Sequence, residues 1–142
     1  MNIRAFSRTG AIILAFVGIL AAQQGQAADK PSEKMLACAK SCADCQRACD
    51  GCATHCANMM GDGKKEHLTC LKSCLDCSTC CVACGQLCTR GGSCCVMMCE
   101  CCAKACDLCA AACEKFPDDK EMKACGEECR KCLKACRAVD GK

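Results

Sequence analysis

The chain has 142 residues, of which 25 are cysteine and three are phenylalanine, with neither tryptophan nor tyrosine. Its formal charge of +3 includes Arg4 and Arg8 of an N-terminal leader, and the remaining charges are interspersed, so no basic stripe or aromatic platform points to nucleic acid. Two histidines, no Gly-rich phosphate loop and no nucleophile signature set apart from the other thiols argue against an enzyme.

Residues 1–27 begin with Arg4 and Arg8, continue through the apolar run Ala11–Ala22 and end with the small residues Gly25 and Ala27. A bilayer needs about 20 apolar residues, so this shorter run reads as a cleavable secretory signal peptide. The arginines are not adjacent, so the leader is not of twin-arginine type. The mature unit, 28–142, is therefore expected to be exported, to the periplasm if the source is bacterial, with no membrane attachment after leader removal.

Four helical segments are expected in that unit. The first runs from about Pro31 to Met60 and stops at Gly61-Asp62-Gly63; the second runs from about Lys64 to Arg90 and stops at Gly91-Gly92. The third starts with Ser93 as N-cap and ends near Phe116-Pro117. The fourth opens with a capping box in which Asp118 caps and Glu121 occupies the third helical position, and runs to about Ala138. Such lengths with short connectors suit an all-α antiparallel four-helix bundle.

Its core cannot be an oily one. The large apolar residues of the mature unit are Leu36, Leu68, Leu71, Leu75, Leu87, Leu108, Leu133, Val82, Val96, Val139 and Phe116, about a tenth of it. Below roughly 20% Leu, Ile, Val and Phe a chain is suspected of disorder. The cysteines answer the suspicion. Cys38, Cys42, Cys45, Cys49, Cys52 and Cys56 step by alternating fours and threes. Cys70, Cys74, Cys77, Cys81, Cys84 and Cys88 repeat the pattern, as do Cys95, Cys99, Cys102, Cys106, Cys109 and Cys113, and then Cys125, Cys129, Cys132 and Cys136. Alternating steps of four and three keep a residue on one helical face, at the a and d positions where a bundle normally places leucine. Cys80, Cys94 and Cys101 stand beside these seams.

Cysteine could fill a core as a small hydrophobe, but leucine or alanine would pack as well without the oxidation hazard. Interhelical disulfides are the ordinary expectation for a short exported Cys-rich chain, giving a disulfide-stapled structural protein. Regular helical spacing and the parallel tilt of neighbouring Cβ atoms do not favour bridges within a seam. Soft thiolates also select Cu(I), Zn or iron–sulfur clusters. Zinc sites use discrete quartets in short loops, and the ferredoxin run with its trailing Cys-Pro is missing. Continuous sulfur seams suit Cu(I), held by two or three thiolates at a time; all 25 cysteines are candidate ligands. Exclusive pairs would hold about 12 ions, and thiolates that each bridge two ions would hold about 25. A general thiolate scavenger of Zn or Cd is the remaining alternative.

These residues resemble the bacterial copper storage proteins, Cys-filled four-helix bundles. The last segment, Glu121-Met-Lys-Ala-Cys-Gly-Glu-Glu-Cys-Arg-Lys-Cys-Leu-Lys-Ala-Cys136, has the family's Cys-x3-Cys-x2-Cys-x3-Cys pattern, and the similarity covers about Met35 to Val139. It implies storage of many Cu(I) ions on core thiolates and association into tetramers. The leader and the high cysteine count depart from the exported members.

Extending each seam by three residues toward one end of an up-down-up-down bundle gives Met59, His67, Phe116 and Met122; the other end gives Met35, Gly91, Gly92 and Val139. Met59, His67 and Met122 are softer, more exchangeable ligands than thiolates and mark a mouth through which ions would pass. His55 is expected on a solvent-facing flank. Cys94, Met98 and Cys101 form a short second stripe, and Leu68, Leu71, Leu75 and Val82 form an apolar one for helix packing or a second subunit.

Overall fold

A computed structural model describes residues 30–140 of the chain. The leader expected over 1–27 lies outside them, as do the two residues at either end of the 28–142 unit. Four α-helices follow one another: α1 (Glu33–Gly61), α2 (Leu68–Arg90), α3 (Cys95–Cys113) and α4 (Lys120–Asp140). A single 3₁₀ turn, Lys65–His67, leads into α2, and no strand occurs among the described residues. The fold is the all-α bundle expected, with each helix lying in its anticipated segment.

The caps explain where the boundaries differ. Ser32 starts α1 by accepting the Met35 amide on its side chain at 3.2 Å. Gly91 ends α2 in the left-handed conformation, φ 62°, which costs a glycine little. Its amide and that of Gly92 return to the carbonyls of Cys88 and Leu87. That tight reversal delays α3. The Cys95 amide bonds Gly92, the helical ladder begins at the Cys94 carbonyl, and the N-cap is Cys94 rather than Ser93. At the far end α3 stops at Cys113, ahead of Phe116-Pro117, because proline disfavours helical geometry in the residue before it.

The capping box of α4 is also displaced by one residue. Asp119, not Asp118, caps the helix, its Oδ1 accepting the amides of Glu121 at 3.0 Å and Met122 at 3.1 Å. Glu121 therefore sits at the second helical position. The two adjacent aspartates are equivalent in the local pattern, and a long-range partner separates them: Asp119 Oδ2 also takes a 2.7 Å bond from His55 Nε2 of α1.

Packing is α1 on α2, α2 on α3, α3 on α4 and α4 on α1, a closed square with antiparallel neighbours. The core within that square consists of the 22 seam cysteines, four alanines, Met122 and Leu133, with His67 and Ser78 as its polar members. Because thiols are small, the helices need further ties outside the core. Ser78 of α2 donates to Asp50 of α1 at 2.6 Å. Arg130 of α4 grips Glu114 just past α3 with two parallel bonds of 2.8 Å and also reaches Asp107.

Asp119→Ala removes two capped amides and the bond to α1, and is expected to lower the stability of the metal-free protein by about 1–2 kcal/mol. Asp118→Ala is expected to stay within about 0.5 kcal/mol of wild type. Urea midpoints followed by circular dichroism compare the two, and equal losses would place the cap at Asp118 after all.

Candidate metal centre

The alternating spacing does what helix geometry requires of it: every seam cysteine of all four helices is buried. Along one helix, sulfurs four residues apart lie 3.9–4.0 Å from each other, as in Cys38–Cys42, Cys70–Cys74 and Cys132–Cys136. Across helices they come closer. On the α1/α4 side Cys38–Cys136 is 3.5 Å and Cys42–Cys132 is 3.7 Å. On the α2/α3 side Cys70–Cys113 is 3.4 Å, Cys74–Cys109 is 3.6 Å and Cys77–Cys106 is 3.7 Å. Diagonal pairs also meet: Cys49–Cys109 at 3.9 Å and Cys81–Cys132 at 4.0 Å. Sulfur reaches the axis from all sides.

A metal–sulfur bond of about 2.3 Å separates two thiolates by about 3.8 Å at a tetrahedral ion and about 4.0 Å at a trigonal one. The thiols thus already stand at ligand spacing. Five quartets have all four sulfurs within 4.8 Å of one another, among them Cys38/Cys84/Cys88/Cys99, Cys38/Cys42/Cys84/Cys136 and Cys42/Cys102/Cys132/Cys136, and four further groups meet the same limit. Consecutive quartets share members: the first two share Cys38 and Cys84, and the next two Cys42 and Cys136. A structural zinc site is a closed, separate quartet; here the quartets overlap in two sets, and Cys81, 3.7 Å from Cys102 and 4.0 Å from Cys132, joins one set to the other. Such an array suits many ions that share ligands.

The family model for copper storage proteins (Csp) matches residues 31–141. The chain belongs to that family. No curated relative matches it. Copper binding for storage is thus the chemistry of this thiol array, and the clustered cysteines are equipped for it.

The copper-free core holds most of its protons. Cys45 is drawn down to about 6 by its hydrogen bonds with Cys106 and Cys129. Cys77 and Cys132 are lowered in the same way, Cys77 chiefly by Cys106 and Cys132 chiefly by Cys102. Other thiols are pushed up: Cys81 first through its bond with Cys102, and Cys88 and Cys99 by burial. Cys56 is pushed up to about 12 by burial and by the neighbouring charge of Cys70. One thiolate surrounded by S–H donors is favourable, whereas a second beside it is not. Each incoming copper must therefore displace protons.

The three cysteines off the seams behave differently. Cys80 is half-buried against the core, and Cys94 and Cys101 are exposed. The structure thus gathers 22 of the 25 candidate ligands and leaves these three outside.

Three of the four residues read as a mouth share a cavity, and the fourth, Met122, lines a neighbouring one with Phe116 and Pro117. Met59, His67 and Phe116 line one cavity of about 470 Å³ together with Asp118 and Asp119, and Met122 is completely buried beside it. His67 is 4% exposed and stacks on Phe116 with ring centroids 4.4 Å apart. Its Nδ1 lies 3.3 Å from the Lys64 carbonyl. A carbonyl only accepts, so Nδ1 is the donor in this bond and Nε2 is the nitrogen the ring can offer to a ligand. His55, expected in solvent, is instead half-buried and bonded to Asp119, with its ring 6.4 Å from that of His67. No local pattern in the sequence signals that tie across 64 residues. Leu68, Leu75 and Val82 are exposed, and of that stripe only Leu71 packs on the core.

Since loading a two-thiolate site releases up to two protons, a fall of one pH unit should weaken it by up to about 100-fold. Chelator competition at about pH 6, 7 and 8 measures this, with proton release in weak buffer as a second readout. An affinity unchanged with pH would exclude thiols as the ligands.

Proposed function

We propose that the protein is an exported store that holds many copper ions as Cu(I) on the thiolates of its core. The observation that carries the reading is the overlap of the sulfur quartets together with the sulfur contacts that join them, which offers shared two- and three-thiolate positions along the bundle. Soft thiolate donors in positions of two or three suit Cu(I) better than Zn, whose structural sites take four ligands in a closed tetrahedron. The leader at 1–27, a positive start followed by a short apolar run, supports export and, in a bacterium, a periplasmic location.

Ions would enter at the end where Met59, His67 and Met122 converge. A thioether or neutral imidazole binds Cu(I) without deprotonation and releases it more readily than a thiolate pair. The exposed α2 residues Leu68, Leu75 and Val82, each seven positions apart, support self-association, for which the family resemblance suggests a tetramer.

Anaerobic titration of the reduced mature protein against a competing Cu(I) chelator tests the proposal. At least about ten tightly held ions per chain are expected, and the filled protein should melt about 10 °C or more above the empty one, because a ligand held only by the folded state stabilises it. Few free thiols in freshly isolated protein would favour the disulfide-stapled alternative, and equal capacity for Zn or Cd a general scavenger.

The mouth has its own test. Met59→Leu, His67→Leu and Met122→Leu together should slow Cu(I) uptake and release while leaving capacity intact. Unchanged rates in stopped-flow experiments would remove the mouth from the mechanism.

A further inference from the structure

Cys80 and Cys101 are unused by the core, yet they face each other across α2 and α3. The antiparallel register of those helices places Cys81 against Cys102 at 3.7 Å and Cys77 against Cys106 at 3.7 Å, and Cys80 and Cys101 are the chain neighbours of the first pair. Cys80 is half-buried and packed on the core, while Cys101 is exposed. The Cys101 thiol is a direct hydrogen-bonding neighbour of Cys80, and Cys77 and Asp76 stand beside it.

The two thiols therefore bridge outside and inside. Cys101 meets solvent, Cys80 lies behind it, and Cys77, three residues along the same helix, is a buried member of the sulfur array. Met98, one turn from Cys101, is half-buried on the same flank of α3 and can add a thioether. Cys94 is two turns from Cys101, about 10 Å along the axis, and is too far to join. His67 at the mouth is about 20 Å from Cys80 along α2, so this position lies on the side of the bundle, remote from its end.

We propose that Cys80 and Cys101 form a peripheral two-thiolate Cu(I) site on the outer flank of α2 and α3, in series with the core and exchanging copper laterally with solvent-side donors and acceptors. The proposal rests on the reading of the core as a Cu(I) store. Binding there forms two S–Cu bonds and breaks two S–H bonds; both protons pass to water, and copper stays Cu(I) throughout. The site adds a place from which ions leave first, because one of its sulfurs faces solvent while every seam sulfur is enclosed.

The test uses the full mature protein, filled with Cu(I) under anaerobic conditions and then challenged with a limiting amount of bathocuproine disulfonate. Samples are alkylated with a water-soluble maleimide and mapped by mass spectrometry. In the filled wild type, Cys80 and Cys101 should resist the maleimide while Cys94 reacts. About one ion per chain should then leave in a fast phase, with Cys80 and Cys101 becoming reactive and the core cysteines remaining protected. Cys80→Ser with Cys101→Ser should lose the fast phase and about one ion of capacity while keeping the slow release of the core. Cys101→Ser alone, a change at an exposed position, should lose the fast phase as well, which guards against misfolding of the double variant.

Persistence of the fast phase in either variant would overturn the proposal. So would equal alkylation of Cys80 and Cys101 with and without copper, or their isolation as a disulfide. Failure of the wild type to take up more than a few ions would instead overturn the storage reading, an outcome visible in the filling step before any variant is compared.

Discussion

The structure depends on how close four helices come when each presents sulfur at its a and d positions. A leucine seam would hold the backbones apart and fill the axis with methyl groups. A cysteine seam lets the helices close until the sulfurs meet, at 3.4–3.8 Å in most neighbouring pairs across α1/α4 and α2/α3 and about 4 Å across the diagonals. Those separations lie within a few tenths of an ångström of the roughly 3.8–4.0 Å that a bound metal imposes on two of its thiolate ligands. Packing and ligation thus ask for the same geometry, and the store needs little rearrangement to fill.

The same choice weakens the empty protein. Thiols bury less apolar surface than leucine and make fewer dispersion contacts, so orientation of the helices falls partly to polar ties at the rim. Asp50–Ser78 joins α1 to α2, the Arg130 fork joins α4 to the end of α3, and His55–Asp119 joins α1 to the start of α4. Each ties a different pair of neighbours around the square. They resist splaying of the helices along the directions in which a small-residue core offers least resistance.

The bundle was legible in the sequence because its signal is periodic. Twenty-two cysteines in strict four–three steps specify which face of each helix turns inward, and turn residues at 61–63 and 91–92 divide the chain. Where the reading slipped, the deciding contact was long-range or depended on turn closure. Asp118 and Asp119 are indistinguishable locally; only His55, on another helix, favours the second. Ser93 is a better capping residue than Cys94, yet the reversal built by Gly91 and Gly92 sets where the α3 ladder starts. The off-seam cysteines were visible as residues, but nothing in their spacing showed that Cys80 would meet Cys101 and that Cys94 would meet neither.

The two ends of the bundle are chemically unequal, and the caps sharpen the difference. At the Met59/His67/Met122 end, Asp119 binds the first amides of α4 and so fixes the residue that carries Met122 inward. Desolvation works against its charge, but the amides of Met122 and Glu121 and the imidazole of His55 hold its carboxyl below the ordinary aspartate range. Asp119 thus positions the Met122 backbone and anchors His55, while the Lys64 carbonyl orients the His67 ring through Nδ1. The opposite end closes on Met35, Gly91, Gly92 and Val139, with a thioether from Met35 but no imidazole among the described residues. In the proposed role, neutral thioether and imidazole groups at the first end would pass a monovalent ion without exchanging a proton, whereas each step onto the thiol seams would expel protons. A store built that way would separate admission from retention, the end groups setting how quickly an ion arrives and the proton equilibrium of the core how firmly it stays.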